Sequence, residues 1–396
     1  MKKWLSVVMI GVLCLALVIG VACGGGEKEE GVKEVKFGLA GPLSGILGAV
    51  IGTPVKQALE LANEQIGEFT VAGESYRWNL MVLDNQWSSA GGVATATKLI
   101  FDEGVKFMHQ AGSSSAMAAQ PICEEAGVLL DMSGGGLEAF GPDKPHTFQI
   151  SPTYVECTPA FFKWLTTEHP EVKRVAIAQT NDETGHAIAD AAVGAAEYYG
   201  LEVVATEFTP VELTELYPLA TKLVNKNPDL VIASTTVLSP MWEMGYEGLG
   251  AGIIWFSSMA ESAGWENVQG YLIYQPQPMG EWLTEELREF VAEYENRYGA
   301  EFTQGPLYAC TILDVLTEAL KKAGTVDDVD KIIETLETET FDTWVGPVRF
   351  GAEELIGIGH WLMWPVPISE VRGQDLHTVT VVPADEAWEL AAEVYK

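Results

Sequence analysis

Strand-like and helix-like stretches alternate along this chain, and the alternation runs once, pauses and starts again. Strands separated by helical patterns of about 10–15 residues form βαβ units, because neighbours joined by a crossover helix must lie parallel. The first series places strands at 35–40, 78–83, 105–110 and 128–132, with helices at 92–103 and 116–126. Ahead of these, Val55, Leu59, Ala62 and Ile66 are spaced to line one helical face. After Phe148-Gln149-Ile150 the second series gives helices at 159–168, 187–199, 213–225 and 241–248. Its strands fall at 174–179, 202–208, 230–233 and 252–256. The halves share length and wiring but no obvious sequence repeat. Roughly 370 mature residues exceed what one hydrophobic core serves, so the expected fold is α/β, with two doubly wound parallel-sheet lobes.

The chain closes differently. Gln275-Pro276-Gln277-Pro278 marks an extended connection, since each proline blocks helix there. Helical patterns at 284–298, 307–323 and 326–337 follow, then strands near 348–350, 360–365 and 379–382, and a short amphipathic tail.

At the other end, Lys2 and Lys3 precede an uncharged apolar run from Trp4 to Ala22, with Cys23 and Gly24-Gly25-Gly26 behind it. A basic start, an apolar middle and small residues before a cut site are the layout of a bacterial export signal. Cys23 at the first mature position is a candidate for lipidation, which would hold the protein to the cell membrane with residues 24–33 as leash. About 19 uncharged residues can also just span a bilayer, so an uncleaved anchor is the other reading. Both place the body of the chain outside the cytoplasm.

There are 23 basic and 56 acidic residues, a net charge of −33. Such a surface repels nucleic acid and anionic lipid and leaves the charge of a small ligand open. Of 5 Cys, Cys123, Cys157 and Cys310 lie beyond the signal, far apart and in no metal-ligand spacing. They are buried free thiols, or two of them form one disulfide.

No catalytic constellation is present in the sequence. The 6 His stand apart, and there is no His-Glu-x-x-His, no Gly-x-Ser-x-Gly and no phosphate loop. An extracellular hydrolase would need a nucleophile with a base. No cofactor or metal is expected. Open α/β sheets bind ligands where strands run into helices, and three such turns in the first half are small and hydroxyl-rich. They are Pro42-Leu43-Ser44-Gly45, Gly112-Ser113-Ser114-Ser115 and Ser133-Gly134-Gly135-Gly136. Ser113 and Ser114 can offer hydroxyls and backbone N–H groups at the positive end of a helix, which favours a carboxylate, or one of them simply caps that helix. Gly134, Gly135 and Gly136 let a ligand approach the backbone closely, or only permit a turn. Trp87, directly after Asp84-Asn85-Gln86, falls at the same rim with Leu43 and Ser44.

The run from Val35 to Gly45 resembles the opening of substrate-binding proteins of the branched-chain amino-acid type, the type I periplasmic receptors of ABC transporters. Similar matches are 58–63, 112–115, 124–128, Ser133-Gly134, Asn181-Asp182 with Thr184-Gly185, and Gly346-Pro347-Val348-Arg349-Phe350. The resemblance covers about 34–370 in consistent order. It implies two lobes joined by a three-crossover hinge, closing over a small solute that is handed to a membrane permease. Lobe one would be 34–150 plus 278–347, lobe two 151–277 plus 348–384, with a tail at 385–396. The implied carboxylate positions are Ser113 and the turn from Gly134 to Leu137; second-lobe contacts fall at Thr184, Thr236-Val237 and Ser258 to Glu261.

The chain departs from the family in several places. Met259 stands where an acid would hold a ligand's ammonium, with Glu261 two residues on. Leu137 or Gly136 replaces a hydroxyl, an aromatic near Thr184 is missing, and Trp87 and Gly112 replace a cysteine pair. The resemblance therefore implies a carboxylate-bearing ligand, amino acid or related acid or amide, bound by a monomer. A sensory receptor of the same fold is the alternative.

Overall fold

A computed structural model describes residues 31–134, 136–210 and 215–396. The signal 1–22, Cys23, Gly135 and the expected helix start at Leu213 lie outside the described residues. Among the described residues sixteen strands form three sheets. They are β1 (Lys33–Gly41), β2 (Phe69–Val71), β3 (Glu74–Asp84), β4 (Phe107–Ala111), β5 (Leu129–Ser133), β6 (Thr147–Phe148), β7 (Arg174–Thr180) and β8 (Glu202–Thr209). The rest are β9 (Leu230–Ile232), β10 (Leu249–Gly252), β11 (Leu272–Ile273), β12 (Thr340–Thr343), β13 (Gly346–Gly351), β14 (Trp361–Met363), β15 (Val366–Arg372) and β16 (Asp375–Val382).

The first sheet runs β2-β3-β1-β4-β5-β6 and the second β16-β15-β11-β10-β9-β7-β8, while β12-β13-β14 form a small third. Strands joined by helices are parallel, as expected. The antiparallel pairs of the large sheets are the hairpins β2–β3 and β15–β16 and the junction β11–β15, and the third sheet is antiparallel throughout.

Helices cover both faces of each large sheet. They are α1 (Gly45–Leu47), α2 (Thr53–Ile66), α3 (Ser89–Thr97), α4 (Ser113–Ala126), α5 (Tyr154–Glu168), α6 (Glu183–Tyr198) and α7 (Tyr217–Val224). Then come α8 (Thr235–Glu243), α9 (Ser257–Ala263), α10 (Glu285–Tyr298), α11 (Gln304–Ala323), α12 (Val329–Thr338), α13 (Glu353–Ile356) and α14 (Ala384–Tyr395). Alternation along a strand sends successive side chains to opposite layers. Phe37 and Leu39 pack with Leu59 of α2 and Leu316 of α11, while Ala40 faces Ala96 of α3 and Ala116 of α4. In the second lobe Val175 and Ile177 meet Phe161 of α5 and Ile188 of α6, and Ala176 meets Leu238 and Met241 of α8.

The chain crosses between lobes at 149–153, 274–284 and 364–365. Side chains tie these crossings together. Trp364 Nε1 donates to Ile150 O at 2.6 Å, Gln275 Nε2 to Pro152 O at 2.8 Å and Tyr308 OH to Pro276 O at 3.2 Å.

The last crossing lies later than the sequence boundary at 347. Strands β13 and β14 belong with the first lobe: Val348, Phe350, Leu362 and Trp364 share a core with Phe37 and Leu59, and Gln149 bridges to Trp361. Val366 is the first residue of this segment in the second lobe's core. The expected tail is helix α14, which buries Ala387 and Leu390 in the second lobe's core and Trp388 and Ala391 in the first lobe's.

Three local readings also shift. Helix α5 starts at Tyr154 rather than 159 because Thr153 and Glu156 form a capping box. Helix α8 follows β9 directly, which places β10 at Leu249–Gly252 instead of 252–256. Strand β15 was unexpected, since Pro365 and Pro367 argue against a strand there. Cys123, Cys157 and Cys310 are buried free thiols, and burial pushes that of Cys123 up to about 12.

Candidate functional site

In each large sheet the strand order reverses at one place, and there the loops leaving two adjacent strands diverge to opposite faces. In the first sheet this switch lies between β1 and β4, since β3 flanks β1 on the other side. The loops leaving it carry Leu43 and Ser44 after β1, and Ser113 and Ser114 after β4. In the second sheet it lies between β7 and β9, whose loops carry Thr184 and Thr236. Met259 and Glu261 follow the neighbouring strand β10. The described site candidates thus divide into two rims, one on each sheet, at the carboxyl ends of the strands.

The first rim is built around α4. Gly112 is its N-cap and supplies no side-chain acceptor, so the serines do not cap the helix. Ser113 is the first helical residue, half-buried, and Ser114 is exposed. Neither hydroxyl has a hydrogen bond among the described residues, whereas buried Ser115 donates to Ala111 O at 2.6 Å. The helix therefore presents backbone N–H groups and two uncommitted hydroxyls, an arrangement suited to an anion. Gly134 must be glycine: its φ is +107°, and a Cβ there would lie 2.4 Å from Ser113 Oγ. Gly136 begins the lead into a single 3-10 turn, Leu137–Ala139.

The turn after β3 was only partly read from sequence. Asp84 Oδ1 accepts from Leu43 N at 3.0 Å and Gln86 N at 2.9 Å. These bonds, the Leu43 one foremost, hold its carboxyl below the usual range, with a lesser contribution from the Ser44 hydroxyl. Asn85 is fully buried; its Nδ2 donates to Ala111 O at 2.8 Å and Ser115 Oγ at 3.2 Å, and its Oδ1 accepts from Trp87 N at 2.9 Å. Trp87 is 39% exposed, and its ring lies against Gly112, 3.1 Å from where a Cβ would stand. Short polar side chains at a strand end are a legible turn signal, and Asp84-Asn85 carried it.

On the second rim Asp182 caps α6 through Gly185 N at 2.7 Å, leaving Thr184 exposed. No aromatic precedes it, but His186 two residues on stacks against Phe208 with centroids 3.9 Å apart. Helix α8 begins without a side-chain cap, with Thr236 exposed in its first turn. Glu301 Oε1 accepts from Ser257 N and Oγ, at 3.2 and 2.7 Å, at the start of α9. On that helix Met259 is half-buried and Glu261 exposed.

Five histidines that stand apart in sequence find carboxylates in the fold: His109 with Asp131 at 2.6 Å, His146 with Glu124 at 3.0 Å, His360 with Glu337 at 3.0 Å, His169 with Glu171 at 3.2 Å and His377 with Glu281 at 3.1 Å. The first three lie off both rims. A cavity of about 450 Å³ lined by Glu34, Asn63, Arg77 and Asn79 opens near the amino ends of β1 and β3, away from the rims. Among the described residues no cluster of His, Cys, Asp or Glu is grouped to hold a metal.

The family model described as periplasmic binding protein matches residues 34–368. The chain belongs to the periplasmic binding protein family. Solved structures agree on the fold. An ABC transporter substrate-binding protein from Sphaerobacter thermophilus is 18% identical with a TM-score of 0.77, covering 89% of this chain and 98% of that one. A solute-binding protein from Rhodopseudomonas palustris HaA2, in complex with p-hydroxybenzoic acid, is 19% identical with a TM-score of 0.76, covering 91% and 100%. A leucine-binding protein from Thermotoga maritima MSB8 is 19% identical with a TM-score of 0.73, covering 89% and 99%. Among curated protein sequences none matches this chain. No helix of the described residues is long and apolar enough to cross a membrane.

Proposed function

We propose that this binding protein captures a small carboxylate-bearing solute between its lobes and delivers it to an ABC permease, working outside the cytoplasm on a lipid carried by Cys23. The observation that carries the solute class is the first rim: the start of α4, without a side-chain cap, with the free hydroxyls of Ser113 and Ser114 and the exposed Trp87 ring beside it. Thr184, Thr236, Met259 and Glu261 on the second rim complete the enclosure when the crossings flex. The fold neighbours crystallised with benzoates, and the leucine-binding one, support a compact carboxylate. Glu261 is the residue to meet an ammonium if the solute carries one.

Calorimetry of the intact protein with benzoate, p-hydroxybenzoate and L-leucine tests this. A hydrogen bond to a charged group contributes about 1.5–3 kcal/mol, so Ser113→Ala should weaken a bound carboxylate roughly tenfold or more. Tight binding of a neutral amide, with all three acids rejected, would overturn the solute class.

A further inference from the structure

Resting on that proposed site, we infer that Asp84 and Asn85 are its positioning residues, and that they act by holding Trp87 as a wall of the first rim. Each makes the same local bond. Asp84 Oδ1 accepts from the backbone N–H two residues ahead, at Gln86, and Asn85 Oδ1 accepts from the one two residues ahead of it, at Trp87. Such bonds fold the backbone back on itself in an Asx turn, and here two come in succession. Gln86 has φ +52° and Trp87 φ +51°. Neither is a glycine, and a bulky aromatic there is a strained choice that persists only where its surroundings impose it.

The remaining bonds of the pair fix this turn to the rest of the rim. Asp84 Oδ1 also accepts from Leu43 N, so one carboxylate sets both the loop after β1 and the turn after β3. Asn85 Nδ2 reaches Ala111 O at the end of β4 and Ser115 Oγ in the first turn of α4. Its own carbonyl accepts from Ser88 N at 3.2 Å, where α3 begins. One buried amide therefore joins β3, β4 and α4, and the product of that bracing is an indole held against Gly112, the N-cap of α4. A strand that needed only to turn could do so with a glycine and no aromatic. The strain and the exposure together mark Trp87 as placed for contact.

The test labels the intact protein with 5-fluorotryptophan and assigns the Trp87 fluorine resonance by its loss in Trp87→Phe. Asp84→Ala should move and broaden that resonance, and Asp84→Asn, which keeps the acceptor oxygen, should restore it. Whichever of benzoate, p-hydroxybenzoate or L-leucine the wild type binds should be weakened about tenfold by Asp84→Ala and by Trp87→Ala, with little further loss in the double variant. A resonance that does not move in Asp84→Ala overturns the inference. So does a moved resonance with affinity unchanged, because Trp87 then lines no site. If the wild type binds none of the three and takes a neutral amide instead, the proposed solute class falls on its own account, and the fluorine signal alone decides whether Asp84 positions Trp87. Should Asn85→Ala fail to fold, the Asp84 pair of variants carries the test.

Discussion

Glu156 shows how one side chain can serve the fold and leave a mark on its pH response. Its carboxyl accepts from Thr153 N at 2.8 Å and Thr153 Oγ1 at 3.0 Å where the chain first enters the second lobe. Among the described residues no cation accompanies it there, and burial raises it from 4.5 to about 7 despite those bonds. The unfolded chain releases this proton near 4.5 and the folded chain near 7. The group's contribution is therefore complete below about 4.5 and is lost as pH rises through 7, on the order of 3 kcal/mol in all. His360 works the other way: burial lowers it from 6.5 to about 4, so its contribution is present above 6.5 and lost as pH falls through 4. The informative measurement is thus the difference between wild type and Glu156→Gln in urea unfolding at pH 5 and pH 8. The variant should lose less stability across that interval, and equal losses would show that Glu156 is ionised throughout. The Thr153-x-x-Glu156 spacing was readable as a helix start. That the same glutamate would sit fully enclosed was not, because enclosure depends on helices far away in sequence.

At the scale of elements, the periodic pattern revealed those whose neighbours simply agree with local preference. Strands β1, β4, β5 and β7 fell close to their expected positions, since apolar runs bounded by turn residues leave little choice. The places of Ser113 and Gly134, directly after β4 and β5, followed from the same strands. Helix α8 was misplaced because Thr235-Thr236-Val237 is β-branched and reads poorly as helix, yet burial of Leu238 and Met241 decides the matter. The role of α14 was invisible for another reason: amphipathicity shows that a face is buried and never against what. Trp388 is the side chain to alter. It is 5% exposed and meets Trp361 edge-on with centroids 5.4 Å apart. Trp388→Ala should cost about 3–5 kcal/mol in chemical denaturation. A loss under 1 kcal/mol would mean that α14 is dispensable to the first lobe's core.

From Val32 onward the described residues build two three-layer bodies connected by three short crossings. Hinge closure moves such bodies with little change inside either, so the radius of gyration should fall when a bound solute is added while the far-ultraviolet spectrum stays constant. Small-angle scattering of wild type and Ser113→Ala, at a solute concentration that saturates only the former, checks this. Equal profiles with and without a solute that calorimetry shows to bind would mean that capture needs no closure. A second consequence comes from α14, whose 12 residues sit in both cores. The first lobe already waits for β13 and β14 before its interior is filled. Neither core is filled without α14, so a variant cut before Ala384 should be an easy target for proteases.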